Sequence, residues 1–182
     1  MIPFMESFSF PECSVRMNRN FHIRPFRSSI PSLIFLLLLC AGAAAFGGMF
    51  GQGEWYQSLT KPALNPPGWV FGPVWTVLYL MMALAAWMIW RTESPVWDKR
   101  IALSLFILQL IVNALWSWIF FGLHDLTLAL VDILIMNALI IATIATFGRV
   151  NRTAAWMMVP YWLWVSFATY LTWTIRELNG GS

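Results

Sequence analysis

Five uninterrupted apolar stretches, at residues 33–50, 69–90, 101–121, 126–147 and 154–175, constrain this chain more than any other feature in it. A helix needs about 20 apolar residues to cross the hydrocarbon core of a bilayer, and each stretch approaches or reaches that length. An open sheet cannot satisfy its backbone in lipid, and the stretches lack the two-residue alternation of barrel strands, so each is read as a helix. The predicted fold is an all-α membrane protein, a bundle of five transmembrane helices. Composition agrees: 59% of the 182 residues are hydrophobic and 10% charged, where soluble domains carry roughly a quarter charged residues. Two Cys are too few for a disulfide scaffold, and a net charge of +3 is too small to argue for nucleic acid.

The first stretch has a second reading. Arg24 and Arg27 followed by LIFLLLLC and AGAAAFGG also describe a signal peptide. Against this, the stretch is longer than a typical signal core, and Ala43, Gly47 and Gly51 form a small-residue ridge suited to close helix packing, within the bundle or between the protomers of a homodimer. Charge placement supports a span. Arg16, Arg19, Arg24, Arg27, Arg91, Lys99, Arg100, Arg149 and Arg152 fall on one side if all five segments cross, leaving Lys61 and Arg176 on the other. The positive-inside rule then puts the N-terminus inside and the C-terminus outside. Residues 1–28 mix Pro, Ser, Asn and Arg without helical or strand period, and are expected to be a disordered cytoplasmic arm in which Met17 offers an alternative start. The membrane domain is expected over 29–178.

The loop at 51–68, GQGEWYQSLTKPALNPPG, is long and stiffened by Pro62, Pro66 and Pro67. With Trp55, Tyr56 and Lys61 it is read as a lid. WY at Trp55 and Tyr56, KP at Lys61 and Pro62, PP at Pro66 and Pro67, then Trp69, Phe71, Pro73, Trp75 and Tyr79 resemble the fingerprint of the TspO/MBR family, the tryptophan-rich sensory proteins related to the mitochondrial translocator protein, or peripheral benzodiazepine receptor. VNALWSWIFFG at 112–122 and PYWLWVSFATYLTW at 160–173 agree, so the resemblance covers roughly residues 30–178. The chain departs from the pattern at Ala63 and Leu64, where an aromatic is common, and at Thr172, where an Asn is common. Such changes alter ligand preference before they alter fold.

Residues three, four and seven apart share a helix face. That places Trp75, Tyr79 and Met82 on one stripe, Gln109, Asn113, Trp116 and Phe120 on a second, and Tyr161, Trp164, Ala168 and Leu171 on a third. Together they outline a ligand pocket of Trp75, Tyr79, Asn113, Trp116, Trp164, Ala168 and Leu171, mostly apolar with few polar groups, as small-molecule sites are. The resemblance implies ligand contact at Trp75, Asn113 and Trp164 and an influence of bulk at Ala168. Interfacial belts account for Trp55, Trp69, Trp90, Trp97, Trp118 and Trp156. Asn113 is read either as a clasp between helices or as a handle for a ligand carbonyl or pyrrole, and Asn137 as a clasp. Asp132, the carboxylate well inside a span, is a functional candidate as a proton relay or counter-charge. Val165, Tyr170 and Arg176 form a loose sterol-type pattern.

No nucleophile and base pair, phosphate-binding Gly loop or metal cluster stands out, and Cys13, Cys40, His22 and His124 are too scattered for metal ligation. The resemblance implies a membrane receptor or sensor that binds tetrapyrroles, protoporphyrin IX or haem, and sterols, and regulates tetrapyrrole or stress responses; a bacterial cell membrane is the expected location. The alternatives are a transporter for porphyrins or lipids and a light-dependent porphyrin-degrading activity using pocket Trp residues.

Overall fold

A computed structural model of the chain describes residues 26–51 and 53–180. Its elements are α1 (Phe26–Met49), a short α2 (Glu54–Ser58), α3 (Gly68–Arg91), α4 (Val96–Ser117), α5 (Leu126–Val150) and α6 (Arg152–Leu178), with a π-helical turn over Trp118–Leu123 extending α4. No strand occurs among the described residues. Most of the arm expected over 1–28 lies outside the described residues, with Cys13, His22 and three of the expected inside arginines; α1 already begins at Phe26.

Local chemistry sets the boundaries. Asp125 caps α5, its Oδ1 accepting from the Leu128 N–H at 2.8 Å, and Asn151 caps α6 by accepting from the Ala154 N–H at 3.1 Å. α3 starts directly after Pro66 and Pro67, whose rings fix φ and remove donors. Hydroxyls inside the apolar helices return their protons to the helix backbone: Thr143 donates to the Leu139 carbonyl at 2.7 Å and Thr172 to that of Ala168 at 2.9 Å. Thr172 is thus absorbed by its own helix.

Among the described residues, four helical segments are long and apolar enough to cross a membrane: Ile30–Met49, Gly68–Arg91, Val96–Leu123 and Leu126–Val150. α6 has 27 residues, and so the length. It lacks the apolar density, because Trp, Tyr, Ser and Thr are interleaved through it. On length and composition the count is therefore four, one fewer than expected.

The five long helices close into a ring, α1 against α3, α3 against α6, α6 against α5, α5 against α4 and α4 against α1. Hydrogen bonds tie both ends. Asn151 Nδ2 donates to Thr92 Oγ1 at 3.0 Å, joining the α3–α4 loop to the α5–α6 turn, the end that carries Arg91, Lys99, Arg100, Arg149 and Arg152. At the other end the Thr60 N–H donates to Asn179 Oδ1, and Asn179 Nδ2 donates to the Thr60 carbonyl, both at 3.0 Å. Lys61 and Arg176 lie there.

Of the small-residue ridge, Ala43 packs on the core and a Cβ at Gly47 would stand 3.0 Å from Ser117 Oγ of α4. Gly51 lies past the end of α1. The ridge is used inside the bundle at these two positions.

Candidate functional site

A cavity of about 490 Å³ lies between α1, α3, α4 and α6, within the roughly 300–1,000 Å³ of small-molecule sites. α1 lines it with Leu37, Cys40, Ala41, Ala44, Gly47 and Gly48, and just past α1 Phe50 and Gly51 continue the wall. α3 contributes Phe71, Gly72, Trp75, Thr76, Tyr79 and Leu80; α4 and its π turn contribute Asn113, Trp116, Ser117 and Phe121; α6 contributes Trp164 and Ala168. The α1 wall is mostly small side chains, with Leu37 and Phe50 as the exceptions, and the others carry indole and phenyl rings. Phe71 meets Trp164 edge-on with centroids 5.9 Å apart, and Trp75 lies 5.5 Å from the Tyr79 ring.

Six of the seven expected pocket residues, Trp75, Tyr79, Asn113, Trp116, Trp164 and Ala168, line this cavity. Leu171 does not; it is buried in the helix packing. The lower members of the three stripes, Met82, Gln109 and Tyr161, are wholly buried beneath the inner end. Phe120 is also buried, and Phe121 takes the place in the wall. The π turn explains the swap, because a widened turn adds a residue and moves the inward face on by one position. The α1 wall and Phe121 were missed by sequence reasoning. The signal for the former was AGAAAFGG, whose small residues leave space as well as permit packing.

A chain of hydrogen bonds runs from the cavity wall into the core. Tyr79 Oη donates to Asn113 Oδ1 at 2.6 Å, Asn113 Nδ2 donates to Tyr161 Oη at 3.1 Å, and Tyr161 Oη donates to Gln109 Oε1 at 2.9 Å. Thioethers receive what is left: Gln109 Nε2 points at Met82 Sδ at 3.9 Å and Asn113 Nδ2 at Met136 Sδ at 3.5 Å. Asn113 is therefore a clasp between α3, α4 and α6, with both ends of its amide engaged. Asn137 is a clasp too, its Nδ2 donating to Thr169 Oγ1 at 2.8 Å and its Oδ1 accepting from Ser166 Oγ at 3.1 Å. Trp116 and Trp164 keep buried Nε1 donors that have no partner, as does one oxygen of Asp132, which is half-buried on α5 outside the cavity lining.

The expected lid residues sit at the same end of the bundle but behind the wall. Trp55 stacks on His124 with centroids 4.1 Å apart and meets Phe120 edge-on; Tyr56 packs against Phe120 and Phe121. Tyr56 Oη donates to Asn65 Oδ1 at 3.1 Å; burial pushes this phenol above its ordinary pKa and the Asn65 bond opposes the rise. Lys61 Nζ lies 4.7 Å over the Tyr56 ring and donates to the carbonyls of Gln57 and Leu59. Neither these residues nor Pro62, Pro66 and Pro67 line the cavity. The loop buttresses Trp116 and Phe121 from outside, since both pack on the cluster that contains Tyr56.

The tryptophans read as belt residues face outward in five cases: Trp69, Trp90, Trp97, Trp118 and Trp156 are exposed on the bundle surface. Of the sterol-type pattern, Val165 is buried in the core while Tyr170 is exposed, so the two do not share a face.

The description "TspO/MBR family" matches residues 35–178 of the chain. Among curated relatives, the tryptophan-rich protein TspO of Chlorobaculum tepidum is 39% identical over 80% of this chain and 97% of its own length. The tryptophan-rich sensory protein of Cereibacter sphaeroides is 36% identical over 80% of this chain and 91% of its own. The translocator protein of Homo sapiens is 35% identical over 84% of this chain and 92% of its own.

Proposed function

Since this chain belongs to the TspO/MBR family, whose named relatives include sensory and translocator proteins, we propose that it is a membrane receptor whose cavity takes a tetrapyrrole, protoporphyrin IX or haem, to regulate tetrapyrrole or stress responses. One observation carries this reading: rings from α3, α4 and α6 line a space of about 490 Å³ together with an α1 wall made mostly of Ala and Gly, Ala41, Ala44, Gly47 and Gly48. Flat aromatic ligands gain from offset and edge contacts with indole faces, and the smooth α1 wall leaves room for a plate instead of a branched chain. Sterols are the weaker ligand class, because Val165 and Tyr170 do not present a common surface.

The same reading has all five long helices crossing a bacterial cell membrane. α6 completes the ring on which α3 and α5 pack, and its Trp, Tyr and Thr side chains face cavity, core or interface as much as lipid. The basic end formed by Arg91, Lys99, Arg100, Arg149 and Arg152 then faces the cytoplasm, with the C-terminus outside. Cysteine accessibility at the two ends in intact cells checks the orientation.

The ligand test is a Trp-fluorescence titration of the full chain with protoporphyrin IX, repeated with Trp75, Asn113 and Trp164 replaced singly. Saturable binding that weakens in the variants supports the reading, and unchanged binding in all three removes this cavity as the site. Transport is distinguished by porphyrin flux in proteoliposomes, and light-driven degradation by loss of protoporphyrin under illumination that disappears in Trp164→Phe.

A further inference from the structure

The hydrogen-bond chain beneath the cavity has a direction, and its atoms dictate it. Thioether sulfur accepts but cannot donate. Met82 Sδ, 3.9 Å from Gln109, therefore takes the amide Nε2–H and turns Gln109 Oε1 toward Tyr161. Tyr161 has a single proton and two acceptors in reach, Gln109 Oε1 at 2.9 Å and the weaker thioether Met136 Sδ at 3.5 Å, and the shorter bond to the carbonyl takes it. Its oxygen can then only accept, so Asn113 must turn Nδ2 toward it, at 3.1 Å, and the second sulfur, Met136 Sδ, lies on the same side of the amide at 3.5 Å. Asn113 Oδ1 is thereby left facing Tyr79, whose own proton it binds at 2.6 Å. Gln109, Asn113 and Tyr161 are buried, so water does not compete for these positions.

The consequence falls on the cavity. Tyr79 and Asn113 both line its inner end. With the Tyr79 proton committed inward, its oxygen presents only lone pairs, and the Asn113 carbonyl has one lone pair in reserve. The geometry points to an acceptor-only corner that selects ligands carrying an N–H or O–H donor on a flat aromatic frame over otherwise equal ligands that lack one. Tyr79 is the specificity-determining residue. Gln109 and Met82 are positioning residues, fixing the polarity of the corner from the core. The indole donors of Trp116 and Trp164 do not reverse this, since both Nε1 atoms are covered by surrounding protein. The inference rests on the cavity's being the ligand site and adds to that reading which hydrogen-bonding sense the ligand must have there.

A matched pair of probes tests it: carbazole, a flat tricycle with one N–H, and 9-methylcarbazole, the same frame without a donor. Each is titrated against the full chain in lipid nanodiscs, with competition against protoporphyrin IX locating the probe in the cavity. Carbazole is expected to bind about five- to tenfold more tightly, the size of one net hydrogen bond. Tyr79→Phe should bring the two affinities to within about twofold. Gln109→Leu leaves the Tyr161 proton only Met136 Sδ, a weak acceptor at 3.5 Å, and the Asn113 amide, so that amide can turn over and the preference should fall or be cancelled, which a merely structural role would not do. Met82→Leu, close in volume, provides the milder version if Gln109→Leu does not fold, and should at least halve the ratio.

Equal affinities in the unaltered protein, failure of both probes to bind, or a preference that survives Tyr79→Phe overturns the corner. A preference unmoved by the foldable positioning variants overturns the role of Gln109 and Met82. Protoporphyrin binding without probe discrimination sinks this inference alone, whereas discrimination without protoporphyrin binding sinks the tetrapyrrole reading and leaves the corner standing.

Discussion

The bundle has an open half and a closed half built in the same solvent. Between α1, α3 and α6 the facing side chains are mismatched in size, Gly and Ala against Trp and Phe, and space remains. Among α4, α5 and α6 the large side chains fill what they face: Phe106, Ile133, Met136, Ile140, Phe147 and Met158 are essentially inaccessible. Burying apolar surface does not by itself hold helices together in lipid, where association rests on packing and interhelical hydrogen bonds. The closed half has both, through its filled core and the Asn137 clasp to Thr169 and Ser166. The open half trades packing for a cavity and recovers cohesion at the inner end through the Tyr79 to Gln109 chain.

Equal bulk placed in each half should break the symmetry most visibly. Ala154 is fully buried in the same core cluster as Phe106, Phe147 and Met158, so Ala154→Phe overpacks the closed half at a cost of about 1–3 kcal/mol or more, expected as a drop in melting temperature of roughly 5–10 °C. Gly48 lies on the cavity wall, and a Cβ there meets nothing within 4 Å. Gly48→Phe should leave the melting temperature within about 2 °C while raising the Kd for protoporphyrin more than about tenfold, because the ring occupies the ligand's space. Thermal melts and titrations of the two variants side by side make the measurement. Comparable melting losses would mean that the two halves are packed alike.

How much of this was legible in the sequence follows the same division. Stripes at helical spacing put Trp75, Tyr79, Asn113, Trp116, Trp164 and Ala168 on inward faces, and all six meet at the cavity. Periodicity works there because the helices are regular. It fails at Phe120 and Phe121, where the π turn changes the residues per turn and nothing in WSWIFFG announces it. It also fails for α1, whose small residues have no side-chain stripe to read; whether Ala44 and Gly48 pack or leave a void depends on what α3 and α4 bring opposite. The role of Asn113 needed the three-dimensional contacts, since a buried amide reads alike as handle or clasp until its partners are known. The loop's place behind Trp116 and Phe121 needed them too, because contacts such as Trp55 on His124 join distant parts of the chain.

A smaller effect should separate the two kinds of glue. Tyr161→Phe leaves Gln109 and Asn113 each short of a partner in a buried site, where an unsatisfied polar group costs about 1–3 kcal/mol. Asn137→Ala removes one interhelical clasp, worth about 0.6 and at most roughly 1.7 kcal/mol in membrane proteins. Unfolding in mixed detergent should therefore rank Tyr161→Phe as the more damaging change, with ligand affinity altered in that variant and unchanged in Asn137→Ala. If Asn137→Ala is the worse of the two, the closed half depends on its hydrogen bonds more than on its packing.

The smallest stability change belongs to the loop, which touches the open half only from behind. Asn179 holds Thr60 by two hydrogen bonds at 3.0 Å and donates to the Ile175 carbonyl at 2.7 Å, so one side chain pins the middle of residues 51–68 to the end of α6. These bonds are exposed or half-exposed, and water replaces them readily; Asn179→Ala should shift the melting temperature by no more than about 2 °C. Local opening should respond more. Tyr56 is buried, and a protease reaches the bond after it only when the loop lifts from Phe120 and Phe121. Limited chymotrypsin digestion in the native bundle should therefore cut after Tyr56 several-fold faster in Asn179→Ala. Because Trp116 and Phe121 are shared between loop cluster and cavity wall, bound protoporphyrin should slow that cut in both proteins by stiffening the wall from inside. Equal cleavage with and without ligand would mean that the loop and the cavity are mechanically independent, and that the wall between them is rigid without either.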